Sequence, residues 1–400
     1  MPAPVLLDLS HTSHTRARTG IQRVTRSLLA ALGNSARPIT HDPHLGAWRP
    51  LEAWELANLA AESAAGQRGA RWPLGARLRG RARRFLGGGS ALSRQLAELS
   101  SATSASLVVP EVFSPGVAAA LPALLAAVRG PRVALFHDAI ALKYPELTPT
   151  KTVARFPAYL RELLLFDGIA AISEESRTTL LDYWRWLGVT AAPPVQTIPL
   201  GLAVSHFHAI RENASGGAPP VVLSVGSIEG RKNHLALLDA CERLWADGAR
   251  FELRLIGLAH PQTGRAALGR LRALQAAGRP LRYDGPVGDA EVDTAYAGCA
   301  FTVYPSLMEG FGLPVFESLA HGRPCICSAR GALGEAARDG GCIALDTVDA
   351  TSLAAAIGRL LQTPGEVATL AAVANARKFR PWSDYATELT TWMHALPRRA

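Results

Sequence analysis

Short apolar runs alternate along this chain with longer segments whose apolar positions recur every three or four residues. Runs of the first kind, bounded by turn residues, read as buried strands, and the segments between them as helices. Sustained alternation predicts βα units and parallel sheets. In the first half the predicted strands are Val5–Leu9, Ser106–Val109, Arg132–His137, Gly168–Ile172 and Val195–Ile198. Asp42 to Gly89, rich in Ala, Gly and Arg, is the least regular stretch. Residues 211–220, Arg-Glu-Asn-Ala-Ser-Gly-Gly-Ala-Pro-Pro, read as a linker. A new alternation then begins with Val221–Gly226 and continues through Phe251–Ile256, Leu281–Tyr283, Phe301–Tyr304 and Pro324–Ser328. The expected organisation is α/β: one domain over 1–210, the linker, a second domain over 221–379, and a last segment over 380–400. Within that segment Tyr385, Leu389, Trp392 and Leu396 fall at helical spacing. No internal repeat of fixed short period is visible.

Length and composition agree with two cores: 400 residues, 48% of them hydrophobic. No apolar run is long enough for a transmembrane helix. Met1-Pro2-Ala3-Pro4-Val5-Leu6-Leu7-Asp8 lacks the basic start and long apolar region of a signal peptide and reads as a first strand. The cysteines (Cys241, Cys299, Cys325, Cys327, Cys342) form no Cys-x-x-Cys pair, and Cys325 and Cys327 read as core thiols on one strand face. A reducing cytoplasm is the expected setting. The net charge of +9 is concentrated in Arg68, Arg71, Arg77, Arg79, Arg81, Arg83 and Arg84, interrupted by Trp72, Leu74, Leu78, Phe85 and Leu86. Three readings meet here: a solvated basic insertion, a nucleic-acid patch and a surface for anionic lipid. No nucleic-acid motif accompanies the run, so no nucleic-acid partner is expected. Mixed Arg, Trp, Leu and Phe suit a membrane interface.

The most informative stretch is Pro305-Ser306-Leu307-Met308-Glu309-Gly310-Phe311-Gly312-Leu313-Pro314-Val315-Phe316-Glu317. It puts two carboxylates eight residues apart around a turn that follows a strand and enters a helix. Pro314 fits the first helical position, and Gly322, after His321, is a natural stop. Glu309 then lies in the loop and Glu317 in the opening turn. The amides of Phe311, Gly312, Leu313 and Val315 are left without helical partners, and the helix dipole favours an anion there. Phosphate on those amides, with a carboxylate gripping hydroxyls on either side, is the arrangement a sugar nucleotide requires.

With its Pro-Ser-x-x-Glu-Gly-Phe-Gly-Leu-Pro-x-x-Glu frame, this segment resembles the E-x7-E signature of retaining glycosyltransferases of family 4. The resemblance implies the GT-B fold: two Rossmann-like domains facing each other across a cleft, with the last helix returning to the first domain. A second segment, Val225-Gly226-Ser227-Ile228-Glu229-Gly230-Arg231-Lys232-Asn233-His234, resembles the family's V-G-x-x-x-x-R-K-N opening of the nucleotide-binding domain. Arg231 and Lys232 are placed between strand and helix, where cations would stabilise the diphosphate as it departs. A third, Phe136-His137-Asp138-Ala139-Ile140-Ala141-Leu142-Lys143-Tyr144-Pro145-Glu146, resembles the H-D-x-x-x-x-x-Y-P-E segment of polysaccharide mannosyl- and rhamnosyltransferases. There the resemblance implies that His137 supports the donor sugar.

Two looser matches, around Ser173 and in Ile198-Pro199-Leu200-Gly201-Leu202, read as mainly structural. The departure from the family is near the N-terminus. A Gly-Gly loop is replaced by Arg18-Thr19-Gly20-Ile21-Gln22-Arg23-Val24, in which Gly20 still permits close backbone approach. Asp8, Arg16, Arg18 and Arg23 are unassigned candidates for acceptor or phosphate contact.

The expected catalytic set is therefore His137, Arg231, Lys232 and Glu309. The expected donor-binding set is Gly20, Gly226, Gly310, Phe311, Gly312, Leu313 and Glu317, with Glu309 on sugar hydroxyls and Glu317 on the ribose. No Asp-x-Asp triplet occurs, and Asp289-Ala290-Glu291 reads as a helix start, so no metal and no cofactor beyond the nucleotide-sugar donor are expected. The implied activity is transfer of a hexose, best assigned as mannose from GDP-mannose, to a glycan or lipid-linked glycan. A catalytically inactive sugar-nucleotide-binding scaffold, a nucleotide-sugar epimerase and a glycoside phosphorylase are the competing readings.

Overall fold

The computed structural model describes residues 4–17, 20–61, 71–87, 105–202 and 219–398. The first sheet contains β1 (Val5–Asp8), β2 (Ala36–Asp42), β3 (Ala47–Pro50), β4 (Ser106–Val109), β5 (Arg132–Phe136), β6 (Gly168–Ala171) and β7 (Val195–Thr197). Their order is β3-β2-β1-β4-β5-β6-β7, parallel except for the β2–β3 hairpin at one edge. The second sheet contains β8 (Val221–Val225), β9 (Glu252–Ile256), β10 (Leu281–Gly285), β11 (Phe301–Tyr304), β12 (Cys325–Ser328) and β13 (Cys342–Leu345). It is parallel throughout, in the order β10-β9-β8-β11-β12-β13. In both sheets the order reverses beside the first strand, at β1/β4 and at β8/β11. Connections leave the C-terminal strand ends in opposite directions there and open a crevice for ligand.

The strands that are buried on both faces are those whose apolar runs are uninterrupted. Leu107, Val108, Val133, Leu135, Ile169 and Ala170 are fully buried in the first sheet, as are Val222, Leu223, Val303 and Ile326 in the second. Helices flank each sheet, as parallel pairing requires.

Three strands depart from the expected set. The hairpin β2–β3 and the helices Ala53–Ala60 and Leu74–Phe85 bring regular structure to the region around Asp42–Gly89. Pro38 hides β2, since proline cannot donate to a ladder. Here β3 covers only Ile39–Asp42, which leaves Pro38 on an unpaired edge. β13, Cys-Ile-Ala-Leu, is apolar but short, and it is only partly buried behind Gly340-Gly341.

The helix Trp382–His394 returns to the first domain. Tyr385, Leu389 and Met393 are buried in one cluster with Val5, Leu7, Val24 and Leu28, and Trp392 and Leu396 pack against it. The Ile198–Leu202 turn anchors the helix entrance: the Leu202 amide donates to the Arg380 carbonyl at 2.8 Å. A Cβ at Gly201 would lie 2.6 Å from the Trp382 backbone. The expected linker lies outside the described residues except for 219–220. No described helix is long and apolar enough to cross a membrane.

Candidate active site

The expected site residues converge on the crevice between the two sheets. Arg231 and Lys232 follow β8, and Glu309 follows β11, so the cations and the carboxylate come from the two strands that flank the switch point of the second sheet. Arg231 donates to one Glu309 oxygen (Oε2, 2.8 Å) and to the Met308 carbonyl at 3.1 Å, while Lys232 pairs closely with Oε1. Glu229 takes a second Arg231 nitrogen at 2.8 Å. Burial opposes ionisation of Glu309, but Arg231 and then Lys232 outweigh it, and the pKa falls to about 2. A carboxylate accepts about four hydrogen bonds. Glu309 therefore orients both cations and retains lone pairs for sugar hydroxyls.

The Glu309 loop is fixed by its glycines. A Cβ at Gly310 would lie 2.4 Å from the His137 carbonyl, so only glycine lets the loop press against the first domain. Gly312 has φ +88° and caps the helix Leu313–Ala320. That helix starts one residue earlier than expected, with Pro314 in its second position. The amides of Phe311, Gly312 and Leu313 have no hydrogen-bond partner among the described residues. The Val315 amide, expected to be open, donates to the Gly312 carbonyl at 2.9 Å because the first turn tightens. The anion cradle is thus three amides. The Phe311 ring stacks on Phe316, with centroids 4.8 Å apart, and packs against the core of the first domain.

Glu317 faces the crevice from the helix interior, beyond the opening turn. It pairs with Arg23 from the helix Gly20–Leu32 of the other domain, and the Tyr296 hydroxyl reaches its Oε2 at 3.5 Å. Arg23 was an unassigned candidate; Tyr296 carried no signal in the sequence, since nothing in its helix distinguishes it from a packing aromatic. Gly20 opens the first-domain helix, exposed, with open space where a Cβ would project. Gly226, at φ +152°, lies beside Lys232, whose Nζ would be 3.8 Å from an added Cβ.

His137 directly follows β5 and is buried. Its Nε2 lies 2.7 Å from the Pro110 carbonyl, to which the neutral ring donates, and burial lowers its pKa. The imidazole is therefore a hydrogen-bonding group, not a cation. Its backbone carbonyl meets the Gly310 loop and accepts from the Ser176 hydroxyl at 2.8 Å, which also reaches the Gly310 carbonyl at 3.4 Å. Ser173 caps its helix as expected, accepting from the Ser176 amide at 3.1 Å. Glu335 of the second domain accepts from the Glu174 and Glu175 amides at 3.0 and 2.8 Å, a carboxylate on a helix N-terminus.

Asp289 and Glu291 begin the helix Asp289–Gly298, and the Glu291 carboxylate accepts from the Gly288 amide at 3.1 Å, the cap expected of them. Among the described residues, one trio has ligand-like spacing. It comprises Cys325, Cys327 and Cys342, whose sulfurs lie within 4.8 Å of one another in the apolar cluster beneath Val315 and Leu319.

Comparison with known proteins agrees with this geometry. Residues 219–363 match the family model described as glycosyl transferases group 1. O-antigen chain mannosyltransferase B of Escherichia coli is 29% identical over 64% of this chain and 68% of its own length. The serotype-specific mannosyltransferase WbdA of Escherichia coli is 25% identical over 80% of this chain, which spans only 38% of that longer protein. Among solved structures, Anabaena HepE in complex with UDP superposes with a TM-score of 0.69 at 15% identity, covering 99% of this chain and all of that one. The strand order and the structural match give the chain the GT-B fold, residues 219–363 carry a glycosyl transferases group 1 domain, and with the curated relatives this makes the chain a nucleotide-sugar-dependent glycosyltransferase.

Proposed function

We propose that this glycosyltransferase moves a mannosyl unit from GDP-mannose to a growing glycan or lipid-linked glycan of a cell-surface polysaccharide. In this reading it retains the anomeric configuration and needs no metal ion. One observation supports the proposal: Arg231 and Lys232 meet on Glu309, in the loop that runs directly into the open amides of Phe311, Gly312 and Leu313 and then into the helix that carries Glu317. The mannosyltransferase names of the two Escherichia coli relatives support the choice of sugar and acceptor class.

In the mechanism that follows, the diphosphate binds the amides of Phe311, Gly312 and Leu313. Arg231 and Lys232 neutralise the charge that grows as the glycosidic bond breaks, and Glu309 keeps both cations in place. Their attraction is greater in the transition state than in the ground state, which is the condition for rate enhancement. The acceptor hydroxyl attacks from the face the leaving group vacates, and a departing phosphate oxygen takes its proton. Glu317 holds the ribose once Arg23 yields it. The close approach of Gly310 to His137 excludes water and limits hydrolysis.

The test is a transfer reaction followed by NMR, with and without EDTA. Retained α configuration and an unchanged rate in EDTA are expected. An inverted product, or a rate restored only by Mg²⁺ or Mn²⁺, would contradict the mechanism.

A further inference from the structure

We propose that the helix Leu74–Phe85 docks this chain onto an anionic lipid bilayer. The helix touches the rest of the chain through its smallest residues: Ala76 and Gly80 are its buried positions. A Cβ at Gly80 would lie 2.9 Å from the His44 side chain, which shows how closely that face is seated on the β2–β3 turn. The opposite face is apolar and in water. Leu74 is 75% exposed, Leu78 64% and Phe85 91%, with Leu86 just beyond at 80%. At about 100° per residue, Leu74, Leu78 and Phe85 fall within roughly 40° of arc. They share one side of the helix, with Arg81 between Leu78 and Phe85, and exposed large apolar residues gathered on one side mark an interaction surface.

The charge of the segment selects the partner. Residues 71–87 contain six arginines and no acidic residue. Arg79 and Arg83, on one flank, pair with Glu52. Arg77, Arg81 and Arg84 lie on the other flank, and Arg81 and Arg84 have no acidic partner among the described residues. Together with Pro43, His44 and Phe85 these two line an open depression of about 550 Å³. A solvated basic helix has no use for Leu74, Leu78 and Phe85 in water, and a phosphate backbone alone leaves them unburied. A bilayer surface takes both: apolar side chains enter the acyl boundary, while guanidinium groups meet lipid phosphates.

The position fits as well. The turn beneath the helix leaves the C-terminal end of β2, the end that faces the crevice in every parallel strand of this sheet. Between β2 and β5, which leads into His137, lie β1 and β4, so the lateral offset is about 15 Å at the usual strand spacing. A docked chain therefore turns its crevice towards the headgroups, where a lipid-linked acceptor would be reached. That last clause rests on the proposed acceptor; the docking does not.

The test is flotation of the full chain with phosphatidylcholine vesicles, with and without phosphatidylglycerol, at low and high salt. The variants are Leu78→Ser/Phe85→Ser and Arg81→Ala/Arg84→Ala, each checked for an unchanged melting temperature. Wild type should float with the anionic vesicles only and be released by salt. The arginine variant should partition roughly thirtyfold less, and the apolar variant should also be lost from the vesicles. Wild type left unbound to anionic vesicles, or bound equally by both variants, would overturn the proposal. Concentration-dependent self-association abolished by Leu78→Ser/Phe85→Ser, without vesicle binding, would assign the apolar side to a second copy instead. Donor turnover in solution does not enter these readouts, so failure of docking and failure of the transferase reading are told apart.

Discussion

Two buried carboxylates at the crevice have opposite protonation states, and their surroundings explain why. Glu309 has Arg231 and Lys232 on its two oxygens and stays ionised down to about pH 2. Asp8, at the end of β1, is just as buried but faces no cation; burial and then the nearby Glu111 push its pKa up to about 8, against hydrogen bonds from Ser10. Asp8 is therefore a neutral acid in the folded protein at pH 7 but an anion in the unfolded chain. Between about pH 4 and pH 8 the folded state binds the extra proton, so stability falls as pH rises through this window. Asp8→Asn keeps the neutral form at every pH. Thermal unfolding of wild type should lose stability between pH 5 and pH 9, and Asp8→Asn should lose distinctly less. Equal losses would show that Asp8 ionises freely. At this scale the motif residues were legible, because Glu309, Arg231 and Lys232 carry their chemistry in residue type and spacing. The Arg23–Glu317 pair and the Tyr296 hydroxyl were not, because each depends on which side chains distant segments bring together.

Most strands and helices could be read from uninterrupted apolar runs, since strands buried on both faces need them. The failures have separate causes. β2 contains Pro38 and buries the polar Thr40, His41 and Asp42, β3 buries Arg49, and β13 is a four-residue apolar run that is only partly buried. The tight first turn at Gly312 was equally hidden, since the residue types allow either turn and only the φ of +88° and the Val315 bond decide. The returning helix, by contrast, was legible as a stripe. Leu389 is fully buried between the two ends of the chain. Leu389→Ala should cost about 2–5 kcal/mol, the range for a buried leucine whose cavity cannot fully collapse. Urea unfolding measures it. A cost under about 1 kcal/mol, the range of a volume-conserving swap, would mean that the helix is not integral to the first core.

Across the whole molecule, function depends on two sheets held so that their switch points meet. Apart from Phe311 packed on the first-domain core, the side-chain contacts between them named above are polar and local: Arg23 with Glu317, Glu335 on the Glu174 and Glu175 amides, Ser176 on the His137 and Gly310 carbonyls. Such contacts can part to admit a donor and reform over it, whereas a large apolar seam would not. Glu309 and Glu317 both pair with cations, Glu309 with Arg231 and Lys232 and Glu317 with Arg23. In the proposed mechanism, donor binding exchanges Arg23 for ribose on Glu317 and shares Arg231 and Lys232 with the diphosphate. Whether these residues form one transferase site is read from release of nucleoside diphosphate from a panel of nucleotide sugars by wild type, Glu309→Ala and Lys232→Ala. Slow hydrolysis of GDP-mannose by wild type, reduced roughly 10²–10³-fold in Lys232→Ala and comparably in Glu309→Ala, is the predicted result. Donor binding without turnover, even with candidate acceptors and membrane lipids added, would contradict the account and leave an inactive sugar-nucleotide-binding scaffold.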